Sequence, residues 1–413
     1  MNDMAIPQGP AVKSGPLRGL LILDFGQAAV GPIAAEYLGM MGATVIKVES
    51  PAGDTVRRGV PTMRGTSTTF LGNNLTKFGI VLDLKSPDGK AYAKRLIAIS
   101  DALIENFRSS EVMVRLGLGY DVLKAINPGI VYVSSSAYGA GGPLENMRSN
   151  EWLTEAFSGF TAVTGAEGTT GEFSRGTANL DWNGAMVNTV ALLAALYRRT
   201  RGQGGGYYLT SQLGSSLYGS LTRMAEVLAG GVPAGPLGSA SPFIAPDEAF
   251  ATADGHVAVS APTQTCWLRL CAVIGQPGLA ADTRFASNAA RIANRADLAR
   301  LLAGGFASTT TADLCARLEA ADVPCAAVPK DMTLLEALDS NAQIRHHNLV
   351  RRIDSHYGNL ASQAPHWAFE RTPADIDCGP PLQGEHTDLV LANLADKPTL
   401  MNALAAVRAR ETV

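Results

Sequence analysis

The stretch LLILDFGQAAVGPIAAEYLGMMGATVIKVE, residues 20–49, decides the fold. A short apolar run, 20–25, precedes a segment of helical composition, 31–42, and a second, β-branched run, 43–49. This order predicts a strand, a helix and a second strand parallel to the first. Apolar runs and helical segments keep alternating to about residue 139, which predicts an α/β fold whose parallel sheet has helices on both faces.

The carboxyl ends of parallel strands mark the expected ligand site. The loops after residues 25, 84, 107 and 138 are therefore the candidates. A nicotinamide or flavin oxidoreductase is one alternative, because a strand, a turn containing glycine and a helix would suit a dinucleotide. However, Gly26 and Gly31 lie five residues apart and G-x-G-x-x-G is absent, so this alternative is disfavoured.

The later part of the chain predicts a second domain. With 413 residues and 46% hydrophobic content, the chain is long enough for two domains that each bury a core. Residues 1–16 are expected to form a disordered leader. A Gly-, Pro- and Ala-rich linker begins near residue 225, and a strand pair followed by helices predicts a small α+β domain that reaches about residue 330.

Composition excludes several classes of protein. The net charge of -3 disfavours a general nucleic-acid binder, and no apolar run is long enough to span a membrane. Five cysteines without a CxxC pair, and the absence of a targeting segment, predict reduced thiols and a cytoplasmic location. All histidines lie from His256 onward. A Ser-His-Asp hydrolase or a His-rich metal site would therefore need an imidazole from the second half.

One aspartate stands before an apolar helical segment, in ANLDWNGAMVNTVALLAAL, residues 178–196. The simplest interpretation makes Asp181 the N-cap of that helix, since aspartate oxygens accept from unpaired amides there. The helix is apolar on nearly all sides, which predicts burial. A catalytic role for this carboxylate is the competing hypothesis.

Seven motifs are each weak alone, but their order and spacing along the chain are specific. They are LRGLLILDFGQAAVGPIAAEYLGMMGATVIKVESPAGD, LDLKSPDGK, ENFR, RLGLGYD, the Asp181 segment with RRTRGQGGG, DTRFASNAARIANRADL and PPLQGEHTD. Between about residues 17 and 392 the chain resembles the family III (CaiB/BaiF) CoA-transferases. That family also contains formyl-CoA and carnitine CoA-transferases and the α-methylacyl-CoA racemases.

The resemblance implies the overall architecture. The large domain is expected to be Rossmann-like, with an N-terminal part at 17–224 and a C-terminal part, including a return segment, at 331–413. The linker and the small α+β domain occupy 225–330. Two chains are expected to form a homodimer of interlocked rings, with the active site near the subunit and domain interfaces.

The resemblance also implies the chemistry. Asp181 matches the aspartate that transferases use as a nucleophile and racemases as an acid/base. A carboxylate that attacks an acyl-CoA forms a mixed anhydride and conserves the activation of the thioester. The CoA thioester and a carboxylic acid are then the substrates, and no metal or permanently bound cofactor is needed. The dipole at the start of the helix is expected to favour ionised Asp181.

Residues for CoA follow from the same resemblance, because its phosphates and adenine call for cations and a flat apolar surface. Positions that hold CoA in the family, or lie beside it, correspond to Gln27, Ala28, Leu82, Lys85, Asn106, Phe107, Arg108, Arg115, Arg148 and Asn150. Solvated charge is the alternative for Lys85 and Arg115, and core packing for Phe107. In formyl-CoA transferase a histidine stands in place of Gln27 and a glutamine in place of Ala29. Gln27 is therefore expected to supply a polar catalytic contact near the thioester, but the resemblance does not by itself assign it the oxyanion role.

The racemase branch provides a comparison within the family. Racemases place a second acid/base, a histidine, where this chain has Asn150, and asparagine cannot shuttle a proton. Racemisation is therefore disfavoured. The neighbouring Glu151 matches an acidic residue near the active-site aspartate, with a helix N-terminal carboxylate as the alternative.

The sequence also bears on the acceptor and on the assembly. Arg148 and Arg175 indicate a second carboxylate on the acceptor, as in succinate. A catalytically silent CoA-binding subunit of a heteromeric transferase is the remaining alternative, which the presence of Asp181 disfavours.

Overall fold

The computed structural model describes residues 15–174, 176–231, 234–329 and 332–411. The predicted leader lies outside these residues, except for its last two. The strands are β1 Leu21–Asp24, β2 Thr44–Glu49, β3 Thr62–Met63, β4 Thr66–Ser67, β5 Lys77–Val81, β6 Ala102–Glu105, β7 Val131–Ser136, β8 Gly206–Ser211, β9 Asp247–Ala251, β10 His256–Ser260, β11 Cys325–Val328, β12 Val350–Ser355 and β13 Gly358–Gln363.

The helices follow the strands in the alternation that the sequence predicts for the first part of the chain. They are α1 Val30–Met40, α2 Thr68–Gly72, α3 Pro87–Ala98, α4 Glu111–Arg115, α5 Tyr120–Ile126, α6 Glu151–Ser158, α7 Asn179–Arg198, α8 Gln212–Gly219, α9 Leu221–Leu228, α10 Gln264–Val273, α11 Pro277–Ala281, α12 Asn288–Ala293, α13 Arg295–Phe306, α14 Thr311–Ala320, α15 Leu334–Ser340, α16 Ala342–His346, α17 Thr387–Ala392 and α18 Lys397–Glu411.

A parallel sheet forms the centre of the first compact unit, in the order β5-β2-β1-β6-β7-β8. The prediction of a parallel α/β sheet is confirmed. The chain builds outward from β1 through β2 to β5, and then crosses to β6 on the other side of β1. The loops after β1 and β6 therefore diverge, and such a reversal of strand order opens a crevice at the carboxyl edge.

Alternate residues of the central strands enter two different cores. Leu21 and Leu23 face a cluster that includes side chains of α3, α5, α17 and α18. Ile22, between them, faces the opposite cluster, which α1 and α7 cover. Because successive strand residues point to opposite faces, a sheet covered on both sides needs apolar residues at nearly every position. This is why LLIL contains no alternation with polar residues.

Two compact units divide the chain. The first contains the described residues up to Phe160, from Ser174 to Ala225, and from Ile344 onward. The second contains Thr161–Phe173 and the described part of Glu226–Gln343, with an antiparallel sheet in the order β11-β10-β9. The predicted return segment began at residue 331, whereas the first unit resumes at Ile344, because α15 belongs to the second unit.

Helix α7 differs from its prediction as a fully buried helix. One side packs against α1 and α8 and buries residues such as Leu192. Val190 and Tyr197 on another side are 61% and 66% exposed. The apolar composition predicts burial on nearly all sides, but within one chain the neighbouring elements cover only part of the helix.

Within the described residues, no helix combines the length and apolar composition needed to cross a bilayer. The cytoplasmic location stays a prediction.

Candidate active site

A cavity of about 640 Å³ lies at the carboxyl edge of the parallel sheet, where loops after β1, β6 and β7 meet the starts of α6, α7 and α8. Three of the four predicted loops thus contribute, while the loop after residue 84 supplies none of the described lining residues. The lining residues are Gln27, Ala28, Ala29, Val30, Asn106, Phe107, Arg108, Val112, Ser135, Ser136, Ala137, Met147, Arg148, Ser149, Asn150, Glu151, Asp181 and Gln212.

Asp181 is the third residue of α7, which begins at Asn179. The residue at the N-cap position is Ala178, which offers no side-chain hydrogen bond. The interpretation of Asp181 as the N-cap is therefore wrong. The helix starts three residues earlier than an N-cap at Asp181 would require, and the Asp181 carboxylate lines the cavity.

Glu151 supplies the missing cap from another part of the chain. Its Oε1 accepts from the amides of Leu180, at 2.8 Å, and Asp181, at 3.5 Å. Glu151 is itself the first residue of α6, so the predicted carboxylate at a helix N-terminus caps α7 as well as beginning its own helix. Two carboxylates consequently meet at the start of α7.

Gln212, which the sequence analysis did not select, contacts the Asp181 carboxylate directly. Its Nε2 donates to Oδ1 of Asp181 at 2.5 Å. Its Oε1 accepts from Oγ1 of Thr154 at 2.9 Å. One signal in the sequence was available: Gln212 follows Ser211, the last residue of β8, and polar residues at that edge of a parallel sheet are site candidates.

Burial, and to a smaller extent the nearby Glu151 charge, together raise the pKa of Asp181 to about 7, against the hydrogen bond from Gln212, which lowers it. Burial also raises the pKa of Glu151. No described residue forms an ion pair with Asp181. Burial is the largest of these effects, so the pKa of Asp181 lies above its ordinary value although the residue is in the first turn of α7. The expected contribution of the helix dipole to ionised Asp181 stays a prediction.

Side chains fix the turn that carries Gln27. Asn106 uses both ends of its amide on this turn, with Oδ1 accepting from Gln27 N at 2.7 Å and Nδ2 donating to Gln27 O at 2.8 Å. Ala28 donates its amide to Asp54 and accepts from Asn73, each at 3.1 Å. Ala28 also has a φ of 62°, a conformation that costs a residue with a Cβ free energy and persists only under such constraint.

A buried ionic cluster also makes hydrogen bonds to the backbone of this turn. Asp24 Oδ1 accepts from Gly26 N at 2.8 Å, and Lys47 Nζ donates to Gly26 O at 3.0 Å. Lys47 pairs with Asp54, and Lys77 with Asp24, both at 2.8 Å. Every backbone amide and carbonyl of residues 26–28 is therefore bound by a side chain, so the turn is rigid before any ligand arrives.

Most of the residues predicted for the site lie together on the cavity, including Gln27, Ala28, Glu151 and Asp181 and most of the positions expected for CoA. Three do not line it. Leu82 is 4% exposed and packs in the same apolar cluster as Phe107, whereas Lys85 and Arg115 are exposed side chains. Their contacts with CoA stay predictions. Arg175 lies outside the described residues.

The side chains of two cavity residues already make hydrogen bonds within the protein. Asn150 is the N-cap of α6 and accepts from Leu153 N at 3.2 Å. Asn106 is committed to Gln27. Among the described residues, no group of three or more His, Cys, Asp or Glu side chains is arranged to hold a metal ion.

The coupling between Glu151 and Asp181 gives a prediction. In Glu151→Gln the amide oxygen still accepts from Leu180 N, but the negative charge that disfavours ionised Asp181 is gone. We expect the pKa of Asp181 to fall from about 7. NMR titration of protein labelled at the aspartate carboxyl carbons, with Asp181→Asn identifying the signal, measures this value. An unchanged or raised pKa would contradict the coupling.

Known proteins resemble this chain along nearly all of its length. The model of "CoA-transferase family III" matches residues 17–387. Succinyl-CoA:glutarate CoA-transferase of Mus musculus is 32% identical, over 93% of this chain and 88% of that protein. Succinate–glutarate CoA-transferase of Agrobacterium fabrum is 28% identical, over 92% of this chain and 96% of that protein. The crystal structure of a CaiB/BaiF family protein from Brucella suis has a TM-score of 0.79 at 28% identity, and covers 92% of this chain and 100% of that one. The chain therefore belongs to CoA-transferase family III.

Proposed function

We propose that Asp181 is the covalent nucleophile with which this CoA-transferase moves CoA from an acyl-CoA to a carboxylic acid. The observation that carries the proposal is the position of the Asp181 carboxylate on the cavity, held by Gln212 and next to a rigid turn. A buried carboxylate without a paired cation keeps its electron pairs available for attack. No imidazole lies among the cavity residues, and this chemistry needs none.

Each step of the proposed reaction exchanges one bond at a carbonyl carbon. An oxygen of Asp181 attacks the thioester carbon, and the C–S bond breaks to release CoA thiolate and leave a mixed anhydride. The thiolate then attacks Cγ of Asp181 and expels the first acid as its carboxylate. This leaves an aspartyl-CoA thioester. The acceptor carboxylate reverses both steps and departs as the new acyl-CoA.

Gln27 is proposed to bind the thioester carbonyl oxygen. Its backbone is held at both N and O by Asn106, so its side chain starts from a fixed position on the cavity wall. Donors that are oriented in advance stabilise a developing oxyanion without reorganisation. Asn106 would then act chiefly by positioning Gln27, and Phe107 and Arg108 would contact CoA.

A racemase fits this site less well. Proton transfer to both faces of an α-carbon needs two acid/base groups, and Asn150 cannot provide the second. Its side chain also serves as the N-cap of α6. The Asp181 nucleophile likewise argues against a silent CoA-binding subunit.

The acceptor is proposed to be a dicarboxylic acid. Both curated relatives described above have names that specify glutarate, a dicarboxylate. Arg148 and Arg108 both line the cavity with exposed side chains, so two guanidinium groups can approach a bound anion. We assign Arg148 to the distal carboxylate of the acceptor and Arg108 to a CoA phosphate, because guanidinium groups bind both anions in two-point geometry.

The assembly is proposed to be a homodimer of interlocked rings. Its support is a set of exposed apolar side chains in the first unit, on α7, α8 and the start of α9. Val190, Tyr197, Tyr218 and Leu221 are each at least 60% exposed. Large contiguous apolar surfaces on one chain are typical of protein interfaces.

Asp181→Asn tests the nucleophile. We expect transfer to fall by several orders of magnitude, because no anhydride can form. The free energy of unfolding at pH 8 is expected to be unchanged or higher, since a carboxylate with a raised pKa is removed. Wild-type protein incubated with acyl-CoA and then hydroxylamine should carry the modification on the Asp181 peptide.

Heavy oxygen provides an independent readout of the same mechanism. The bridging oxygen of the second anhydride comes from the acceptor and remains on Asp181 when the new acyl-CoA leaves. Acceptor labelled with ¹⁸O should therefore transfer label to the Asp181 peptide, as detected by mass spectrometry. Near-normal transfer by Asp181→Asn, or label on another residue, would refute the proposal.

Arg148→Met tests the acceptor class. We expect kcat/KM for succinate or glutarate to fall about 10-fold to 100-fold, the loss of one charge-assisted contact, while kcat/KM for butyrate is unchanged. Arg108→Met is the matched control, because a lost CoA contact should weaken all acceptors equally. Equal losses for mono- and dicarboxylates in Arg148→Met would contradict the assignment.

Light scattering tests the homodimer. Wild-type protein at micromolar concentration should have the mass of two chains. Val190→Glu places a charge on the apolar surface and should lower the yield of dimer when the protein is refolded from denaturant, because interlocked rings form as the chains fold and an unpaired charge in an interface is costly. Val60→Glu, at a site that is 86% exposed, is the control and should remain a dimer. A stable wild-type monomer would rule out the proposal.

A further inference from the structure

Hydrogen bonds at both ends of its side-chain amide orient Gln212. Ionised Asp181, the form that attacks the thioester, accepts hydrogen bonds and cannot donate, so in that form the amide nitrogen of Gln212 faces Oδ1 of Asp181. The amide oxygen then faces Thr154, whose hydroxyl donates to it. Thr154 is fully buried, and Gln212, which lines the cavity, is 6% exposed.

The backbone around Gln212 is equally fixed. Gln212 is the first residue of α8, directly after the N-cap Ser211, whose Oγ accepts from Gly214 N at 3.0 Å. Leu213 N donates to Ala137 O at 2.8 Å, which ties the start of the helix to the loop after β7. The donor therefore approaches Asp181 from an element that is anchored on both sides.

The proposed transfer contains two kinds of carbonyl attack. In the acyl-centred steps, charge develops on the oxygen of the substrate. In the aspartyl-centred steps, thiolate or carboxylate attacks Cγ of Asp181, and the electron pair of the C=O bond moves to the aspartyl oxygen that is not bridging. Collapse restores that C=O bond and expels either a carboxylate or CoA thiolate.

We propose that Gln212 is a catalytic residue that stabilises this aspartyl-centred oxyanion through its Nε2–H. The inference rests on the proposed nucleophilic role of Asp181. The donor is already 2.5 Å from Oδ1 in the free protein, the atom on which the charge develops when Oδ2 is the bridging oxygen. Gln27 is proposed to serve the acyl-centred steps, so the two glutamines divide the two oxyanions between them.

Gln212→Met is the primary test, since methionine has nearly the same shape and no donor. Enzyme is mixed with acyl-CoA in the absence of acceptor, quenched at intervals and digested, and the CoA adduct on the Asp181 peptide is quantified. We expect the adduct to form about 100-fold to 1,000-fold more slowly than in the wild type, the usual loss for one oxyanion donor. KM for the acyl-CoA should change much less than the rate of adduct formation, because an oxyanion donor acts on charge that the bound substrate does not yet carry.

Three further variants separate catalysis from packing. Gln212→Glu keeps the shape but presents an acceptor to Oδ1, so it should be at least as slow as Gln212→Met at neutral pH. Thr154→Val frees the amide to rotate and should be intermediate, with no additional loss when it is combined with Gln212→Met. Ser216→Ala removes a hydroxyl that donates to Leu213 O within α8 and has no other hydrogen bond to the described residues, so adduct formation should be unchanged.

The possible results are distinguishable. If Gln212→Met forms the adduct within about threefold of the wild-type rate, far less than the loss of an oxyanion donor, the inference is overturned while the nucleophilic role of Asp181 stands. If Gln212→Met loses stability and raises KM together with the rate loss, the residue is structural and the inference is equally overturned. If the wild type forms no adduct on Asp181, the proposed function itself fails.

Discussion

The buried carboxylate of Asp24 is the constraint on which the site depends. It lies at the end of the central strand with no solvent exposure, and binds Gly26 N through one oxygen and Lys77 through the other. Lys47, equally buried, binds Gly26 O and Asp54. Removing one partner of such a cluster leaves an unpaired buried charge, which costs roughly 3–5 kcal/mol. The turn at residues 26–28 therefore cannot relax without breaking the cluster.

At the same edge of the sheet, the carboxylate of Asp181 has an environment opposite to that of Asp24. Asp24 is neutralised by cations, whereas Asp181 has burial, a nearby Glu151 and one neutral donor, Gln212, and its pKa rises to about 7. The Asp24 carboxylate thus holds the turn, whereas the Asp181 carboxylate is the proposed nucleophile. A buried carboxylate with a raised pKa lowers the free energy of unfolding when it is ionised. The rigid turn and the anchored start of α8 keep the residues around Asp181 in place.

Much of the fold could be predicted because it depends on local pattern. The apolar runs at 20–25 and 43–49 became β1 and β2, and the segment between them became α1. A parallel strand covered on both faces must be apolar at nearly every position, and a run of consecutive apolar residues can be recognised directly in the sequence. The resemblance to a family then selected Asp181, Glu151 and Gln27, which lie on one cavity. The exposed side of α7 could not be predicted, since composition does not reveal which neighbours a helix has.

What the sequence determined by itself is the class of fold, the edge of the sheet that carries the site and the chemical groups available there. Each follows from residues close together in the chain, or from motifs in a fixed order. Only the tertiary structure decided the contacts between distant residues: Glu151 capping the helix of Asp181, Gln212 donating to its carboxylate, and Asn106 holding Gln27 across 79 positions. Hydrogen bonds require distances near 3 Å, and separation along the chain does not specify which distant polar groups meet that requirement.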